Sequence, residues 1–145
     1  MEQSTPYSLG VLVVDDNEDH AIATAKLLRH AFGCDSSICT TATEVFDLVF
    51  AQRPELLLVD LEMPKLDGFG VVEQLRLHRL LPALTVACSG YAGSALAMRC
   101  VVAGFHEFVA KPVPLEVLAA LVAEATRRSS RASRIADAPL ATPSP

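Results

Sequence analysis

The sequence predicts an α/β domain: a doubly wound, five-stranded parallel sheet with helices on both faces. Three observations predict it. Five short apolar runs recur along the 145 residues, and most are continuous rather than alternating, as strands covered on both faces are. Helix-length segments with one apolar face separate the runs, and strict β-α alternation with short connections requires parallel strands joined by right-handed crossovers. At 51% hydrophobic residues, a chain of this length supports one core and is too short for two comfortable ones.

The elements follow in order. The first strand is LGVLVV (9–14). Asn17 to Phe32 places Ala21, Ala25, Leu28 and Phe32 on one helical face, and Gly33 stands where a C-terminal cap belongs. After the second strand, SSICT (36–40), Thr41 and Glu44 have capping-box spacing ahead of Val45, Leu48 and Val49. The third strand is ELLLV (55–59). Asp67 can cap the next helix, which carries Val71, Val72 and Leu75, although Gly68 and Gly70 weaken its first turn by roughly 1 kcal/mol each. ALTVAC (83–88) is the fourth strand, and Ser94 to Ala103 is a helix closed by Gly104. HEFVA (106–110) is the fifth strand, followed by a helix from Pro114 to about Thr126 with Leu118, Leu121, Val122 and Ala125 at helical spacing. Residues 1–8 are an N-terminal extension. Residues 127–145, rich in Ser, Arg, Ala and Pro, cannot build a core and are expected to be a disordered tail.

Composition excludes several function classes. The net charge is -5, and four arginines (Arg127, Arg128, Arg131, Arg134) sit in the tail, so the body is more acidic still. Such a body makes no nucleic-acid surface, because phosphate contacts need clustered Lys and Arg. No apolar run reaches the roughly 18 residues of a membrane span, and the start MEQSTPYSLG has no signal-peptide pattern, so a cytoplasmic protein without membrane contact is expected. Cys34, Cys39, Cys88 and Cys100 fit no metal spacing and are expected to be buried, reduced thiols. His20, His30, His78 and His106 share no spacing, which argues for surface histidines and against zinc.

Sites on open α/β sheets form beyond the carboxyl ends of the strands, where strand order reverses. The residues closing the strands are therefore informative: Asp15-Asp16, Asp60, Ser89 and Lys111-Pro112. In the flavodoxin-like order 2-1-3-4-5 these ends would line one edge, neighbours about 4.8 Å apart. Three carboxylates converging there would repel one another, so they make sense as a hard-cation site, with Mg²⁺ the best match. A hydroxyl (Ser89) and an ammonium (Lys111) beside that ion are what a phosphoryl group needs. Because three carboxylates repel free phosphate, covalent transfer onto a carboxylate is the better reading, with Asp60 as acceptor.

These residues carry a resemblance. Asp-Asp closing strand 1, the run DLEMPKLDG (60–68), Ser-Gly after strand 4 and Lys-Pro after strand 5 resemble the receiver domain of two-component response regulators, of the chemotaxis-regulator type, over residues 9–126. The resemblance, rather than the spacing, implies the strand order. It implies an aspartyl-phosphate at Asp60, taken from a phosphohistidine on a histidine kinase or histidine phosphotransfer domain. It also implies Mg²⁺ held by Asp15, Asp16, Asp60 and the backbone carbonyl of Glu62, with Ser89 and Lys111 binding the phosphoryl oxygens. Phe108 matches the aromatic switch position, here without the phenolic hydroxyl many relatives carry, and Lys111-Pro112 matches the family's cis peptide. A receiver of this kind is not a turnover enzyme. It acts in signal transduction by switching a surface that binds a downstream protein, and a homodimer through the helix 4, strand 5 and helix 5 face is a further mode. No output domain is expected after residue 126, so the chain reads as a stand-alone receiver or one cut from a larger protein.

Simpler readings account for some residues. Glu18 and Asp19 are acids favoured in a helix's first turn. Met63-Pro64 reads as turn packing. Met98 and Val101 read as core packing of helix 4 at least as well as an exposed partner patch. Glu62 and Tyr91, each two past a pocket residue, flank the water route to the phosphoryl group. A flavodoxin-like mononucleotide binder would need hydroxyls and glycines after strand 1, where DDNEDH has the wrong charge. An aspartyl phosphatase would need a DxDx(T/V) pattern, which Glu18 breaks. A degenerate receiver that binds partners without phosphorylation is the remaining alternative.

Overall fold

The computed structural model describes residues 8–63 and 67–137. Among these, strands and helices alternate throughout: β1 (Gly10–Val14), α1 (Glu18–Phe32), β2 (Asp35–Cys39), α2 (Ala42–Gln52), β3 (Leu56–Asp60), α3 (Gly68–Leu77), β4 (Leu84–Ser89), α4 (Ser94–Ala103), β5 (Glu107–Ala110) and α5 (Leu115–Asp137). The strands form one sheet in the order β2-β1-β3-β4-β5, and every pairing is parallel. This is the predicted doubly wound, flavodoxin-like arrangement.

The continuous apolar runs are explained by two-sided burial. Successive strand residues point to opposite faces, so an uninterrupted run feeds both. Val11, Val13, Leu56, Leu58, Leu84 and Val86 pack with Ala21, Ala25 and Leu28 of α1 and with Leu118, Leu121 and Ala125 of α5. Their neighbours Leu12, Val14, Leu57, Val59 and Ala87 pack with Val45 and Val49 of α2, Val72 and Leu75 of α3, and Cys100 and Ala103 of α4. All four cysteines are buried and free.

Helix ends follow local chemistry. The Asn17 side chain accepts the His20 N–H at 3.1 Å and caps α1, whose first turn holds Glu18 and Asp19. Gly33 closes the helix at φ 67°, in the left-handed region where a missing Cβ removes the steric penalty. Asp67 caps α3 by accepting the Phe69 N–H at 3.2 Å.

Two expectations differ from the structure, and one left open between two readings is decided. Thr41 occupies the N-cap of α2 in extended conformation but makes no side-chain cap bond, so the capping box does not form. Met98 and Val101 are exposed, at 64% and 67%, together with Val102; α4 turns the small Cys100 and Ala103 inward instead. The last helix runs past Thr126 to Asp137, so residues 127–137 are helical rather than a disordered tail. The physical reason is local. That stretch contains no Gly or Pro, its Arg and Ala are good helix formers, and Glu124 pairs with both Arg127 and Arg128 across the junction. Residues 1–7 and 138–145, the rest of the expected extension and tail, lie outside the described residues, as does Pro64.

Candidate functional site

Backbone pairing beyond the strands aligns their ends. Val14 of β1 pairs with Val59 of β3, which brings Asp15 beside Asp60. The Leu61 N–H donates to Cys88 O at 2.9 Å and the Lys111 N–H to Ser89 O at 2.8 Å, continuing the parallel ladders into the loops. Asp15, Asp16, Asp60, Ser89 and Lys111 thus share one rim of the sheet.

Asp15, Asp16 and Asp60 each offer an oxygen, and these atoms all lie within 4.8 Å of one another. Asp15 and Asp60 are buried while Asp16 is exposed, so the cluster is open on one side. Asp15 Oδ1 accepts the Asn17 N–H at 3.0 Å, and its Oδ2 pairs with His20 Nδ1. Asp16 is set by its own N–H, which meets Met63 Sδ at 3.0 Å. Met63 is buried in the core, so it packs the turn as expected and also fixes an acid. An all-carboxylate donor set with one open side fits a hard divalent ion that keeps waters, as Mg²⁺ does.

Asp60 is held from two directions. Its Oδ1 accepts the Glu62 N–H at 2.9 Å and the Lys111 ammonium at 3.0 Å. Lys111 Nζ also lies 3.1 Å from Glu62 Oε2. Burial works against the Lys111 ammonium, but the hydrogen bonds and charges of Asp60 and Glu62 outweigh it and hold its pKa above the usual lysine value. The Lys111-Pro112 peptide is cis. Phe108, opposite Ala87 on β4, is half-buried against the second apolar cluster.

Ser89 is buried at the end of β4. Its hydroxyl donates to Glu62 Oε1 at 2.9 Å, an oxygen that also accepts the Gly90 N–H and, at 3.2 Å, the Tyr91 N–H. Burial raises the Glu62 pKa, but the Ser89, Lys111 and Gly90 hydrogen bonds overcome it, so the carboxyl stays below its ordinary value. Cys88 lies next to this rim, and burial with the Asp60 charge pushes its thiol up to about 12 despite Lys111, which leaves it protonated and inert.

The structure brings Asp15, Asp16, Asp60, Glu62, Ser89 and Lys111 together at this rim, while Phe108 lies further back on β5 opposite Ala87. Two contacts were missed. His20 lies in the first turn of α1, and only its five-residue offset from Asp15 hints at the pairing. The sequence points to the Glu62 backbone carbonyl and to a place beside the water route, whereas the structure binds its carboxylate inside the pocket.

The sequence profile of the response regulator receiver domain matches residues 11–123, most of the chain. The chain belongs to the receiver-domain family. Among curated relatives, this receiver is 35% identical over 121 residues to a 14.6 kDa protein of Leptolyngbya boryana encoded beside sodA1, with 79% of the receiver and 88% of that protein covered. It is 32% identical to the protein-glutamate methylesterase/protein-glutamine glutaminase of Enterobacter cloacae, where 92% of the receiver spans 40% of the relative's length. Solved structures of similar fold include the signal receiver domain of a putative LuxO repressor protein from Vibrio parahaemolyticus, at TM-score 0.78 and 20% identity, covering 88% of the receiver and 97% of that chain. A CheY-like receiver from Methanospirillum hungatei JF-1 superposes at TM-score 0.72 and 20% identity, covering 86% and 99%. Among the described residues, no helix is long and apolar enough to cross a membrane.

Proposed function

We propose that this receiver is a phosphoacceptor in a two-component phosphorelay: Asp60 takes the phosphoryl group of a phosphohistidine presented by a histidine kinase or histidine phosphotransfer domain. An Asp60 carboxylate oxygen attacks phosphorus in line, the P–O bond forms as the P–N bond breaks, and the departing imidazole keeps the electron pair and is reprotonated by solvent. The observation that carries this reading is the convergence on Asp60: one acceptor oxygen 3.0 Å from the Lys111 ammonium, and two further acids with oxygens within 4.8 Å.

Asp15, Asp16, Asp60 and the Glu62 backbone carbonyl would hold Mg²⁺. The ion would supply positive charge to offset repulsion between phosphoryl oxygens and carboxylates. Lys111 and Ser89 would bind the remaining phosphoryl oxygens, the first by charge and the second as a hydroxyl donor. Drawing Ser89 toward the acyl phosphate would shift the loop after β4, with half-buried Phe108 following, and so bias the α4, β5 and α5 face that a downstream protein or a second copy binds. Met98, Val101 and Val102 are exposed on that face. The receiver would act in the cytoplasm by binding and would turn over no substrate besides its own acyl phosphate.

The test is acetyl phosphate with Mg²⁺, followed by intact mass. Wild-type chain gains one phosphoryl increment and Asp60→Asn gains none. Persistent uptake by Asp60→Asn would overturn the acceptor assignment. Absence of uptake by the wild type would favour a degenerate receiver that works by binding alone.

A further inference from the structure

We propose that the Glu62 carboxylate is a resident occupant of the phosphoryl-oxygen cradle, which must leave before Asp60 can be phosphorylated, so that Glu62 sets a low rate of phosphoryl entry. The inference rests on Asp60 being the acceptor and adds a gate to that same site.

The geometry is specific. Four donors converge on one carboxylate: Oε1 accepts the Ser89 hydroxyl at 2.9 Å, the Gly90 N–H and the Tyr91 N–H at 3.2 Å, while Oε2 faces Lys111 Nζ at 3.1 Å. An oxyanion ringed by a hydroxyl, two amides and an ammonium is bound as a phosphoryl group would be. The donors cannot serve both groups. A serine hydroxyl has one proton to donate, and here it goes to Glu62. Lys111 is divided between Asp60 and Glu62, and a phosphoryl dianion on Asp60 would face the Glu62 charge across that same ammonium.

A second feature belongs to this arrangement. A Cβ at position 90 would stand 3.2 Å from Glu62 Oε1 and 3.4 Å from Oε2, so any larger residue there would press the carboxylate back by a few tenths of an ångström, while glycine leaves it room. Displacement remains feasible. The Glu62 side chain is 29% exposed, so it can swing into water without opening the core. Substituting it leaves the backbone carbonyl in place for a metal.

The experiment compares wild type, Glu62→Gln and Glu62→Ala, with Asp60→Asn as the unlabelled control. The probe is acetyl phosphate with Mg²⁺. Before it is added, the Gly90 amide proton resonance is expected to move upfield in Glu62→Ala, because its charged acceptor is gone, whereas the Tyr91 N–H keeps the Ser89 hydroxyl oxygen at 3.0 Å. Initial phosphoryl uptake by intact mass is then expected to rise about tenfold in Glu62→Ala, with Glu62→Gln between, since Gln keeps an acceptor oxygen but loses the charge. Uptake by Glu62→Ala equal to or slower than wild type, with wild type labelled at Asp60, would overturn the gate and leave the acceptor assignment standing. No uptake by either chain would overturn the acceptor assignment and the gate with it.

Discussion

The Lys111 ammonium stands 3.0 Å from Asp60 Oδ1, although the two residues are 51 positions apart in the chain. It is also the cation that keeps Asp60 and Glu62 on one rim without mutual repulsion. Removing one partner of a largely desolvated charge set exposes the remaining charges to each other, and the penalty exceeds that of a surface pair.

Lys111→Met should therefore destabilise the fold by about 1–3 kcal/mol, between the values for exposed and fully buried pairs. Urea unfolding measures this. Added Mg²⁺ should raise the midpoint of Lys111→Met more than that of wild type, because the ion offsets repulsion that Lys111 otherwise relieves. Equal midpoints for the two chains without Mg²⁺ would mean that the ion pair contributes no stability.

What the sequence made legible follows from where each signal resides. Strand identity was visible because two-sided burial leaves continuous runs such as ELLLV, and the rim was visible because strand ends are fixed by those runs. Asp15, Asp16, Asp60, Ser89 and Lys111 fall at one edge for that reason. The Glu62 carboxylate was not legible, because its direction depends on the Glu62 N–H turning back to Asp60 Oδ1 and on space left by Gly90. The His20 contact was equally hidden: a side chain 53% exposed reads as a surface histidine until the turn before α1 brings Asp15 beneath it. The end of α5 was misplaced because a segment without core residues was equated with a segment without helix, whereas propensity and the Glu124 pairs continue the backbone pattern.

That extension predicts a separation between helicity and stability. Ser130 is exposed and lies beyond Leu118, Leu121 and Ala125, the residues that α5 contributes to the core. Ser130→Pro would remove an i to i−4 hydrogen bond and clash with the preceding turn, a local penalty of about 3 kcal/mol. The helical circular dichroism signal should fall by the last turns of α5, while the free energy of unfolding in urea stays within about 0.5 kcal/mol of wild type, as for a surface change. A large loss of global stability would mean that the C-terminal turns are part of the cooperative core.

His106 supplies a pH dependence separate from the acidic rim. Its Nδ1 accepts the Thr85 N–H at 2.9 Å, which requires the neutral ring. Burial and the Arg128 charge lower its pKa, and Glu107 only partly opposes them. The folded chain therefore resists protonation of a group that the unfolded chain protonates near its ordinary value of 6.5. Between those two values the unfolded state binds more protons, so stability rises with pH there. The contribution is fully present above about pH 6.5 and is lost as pH falls through the lower folded value. His106→Asn can keep the acceptor through Oδ1 without titrating. Melting temperatures of both chains at about pH 8 and about pH 5.5 should show wild type losing ground relative to His106→Asn on acidification, by a small amount because His106 is exposed as a whole residue. Parallel losses in the two chains would mean that His106 is equally protonated in the folded and unfolded states, and that the Thr85 contact does not depend on a neutral ring.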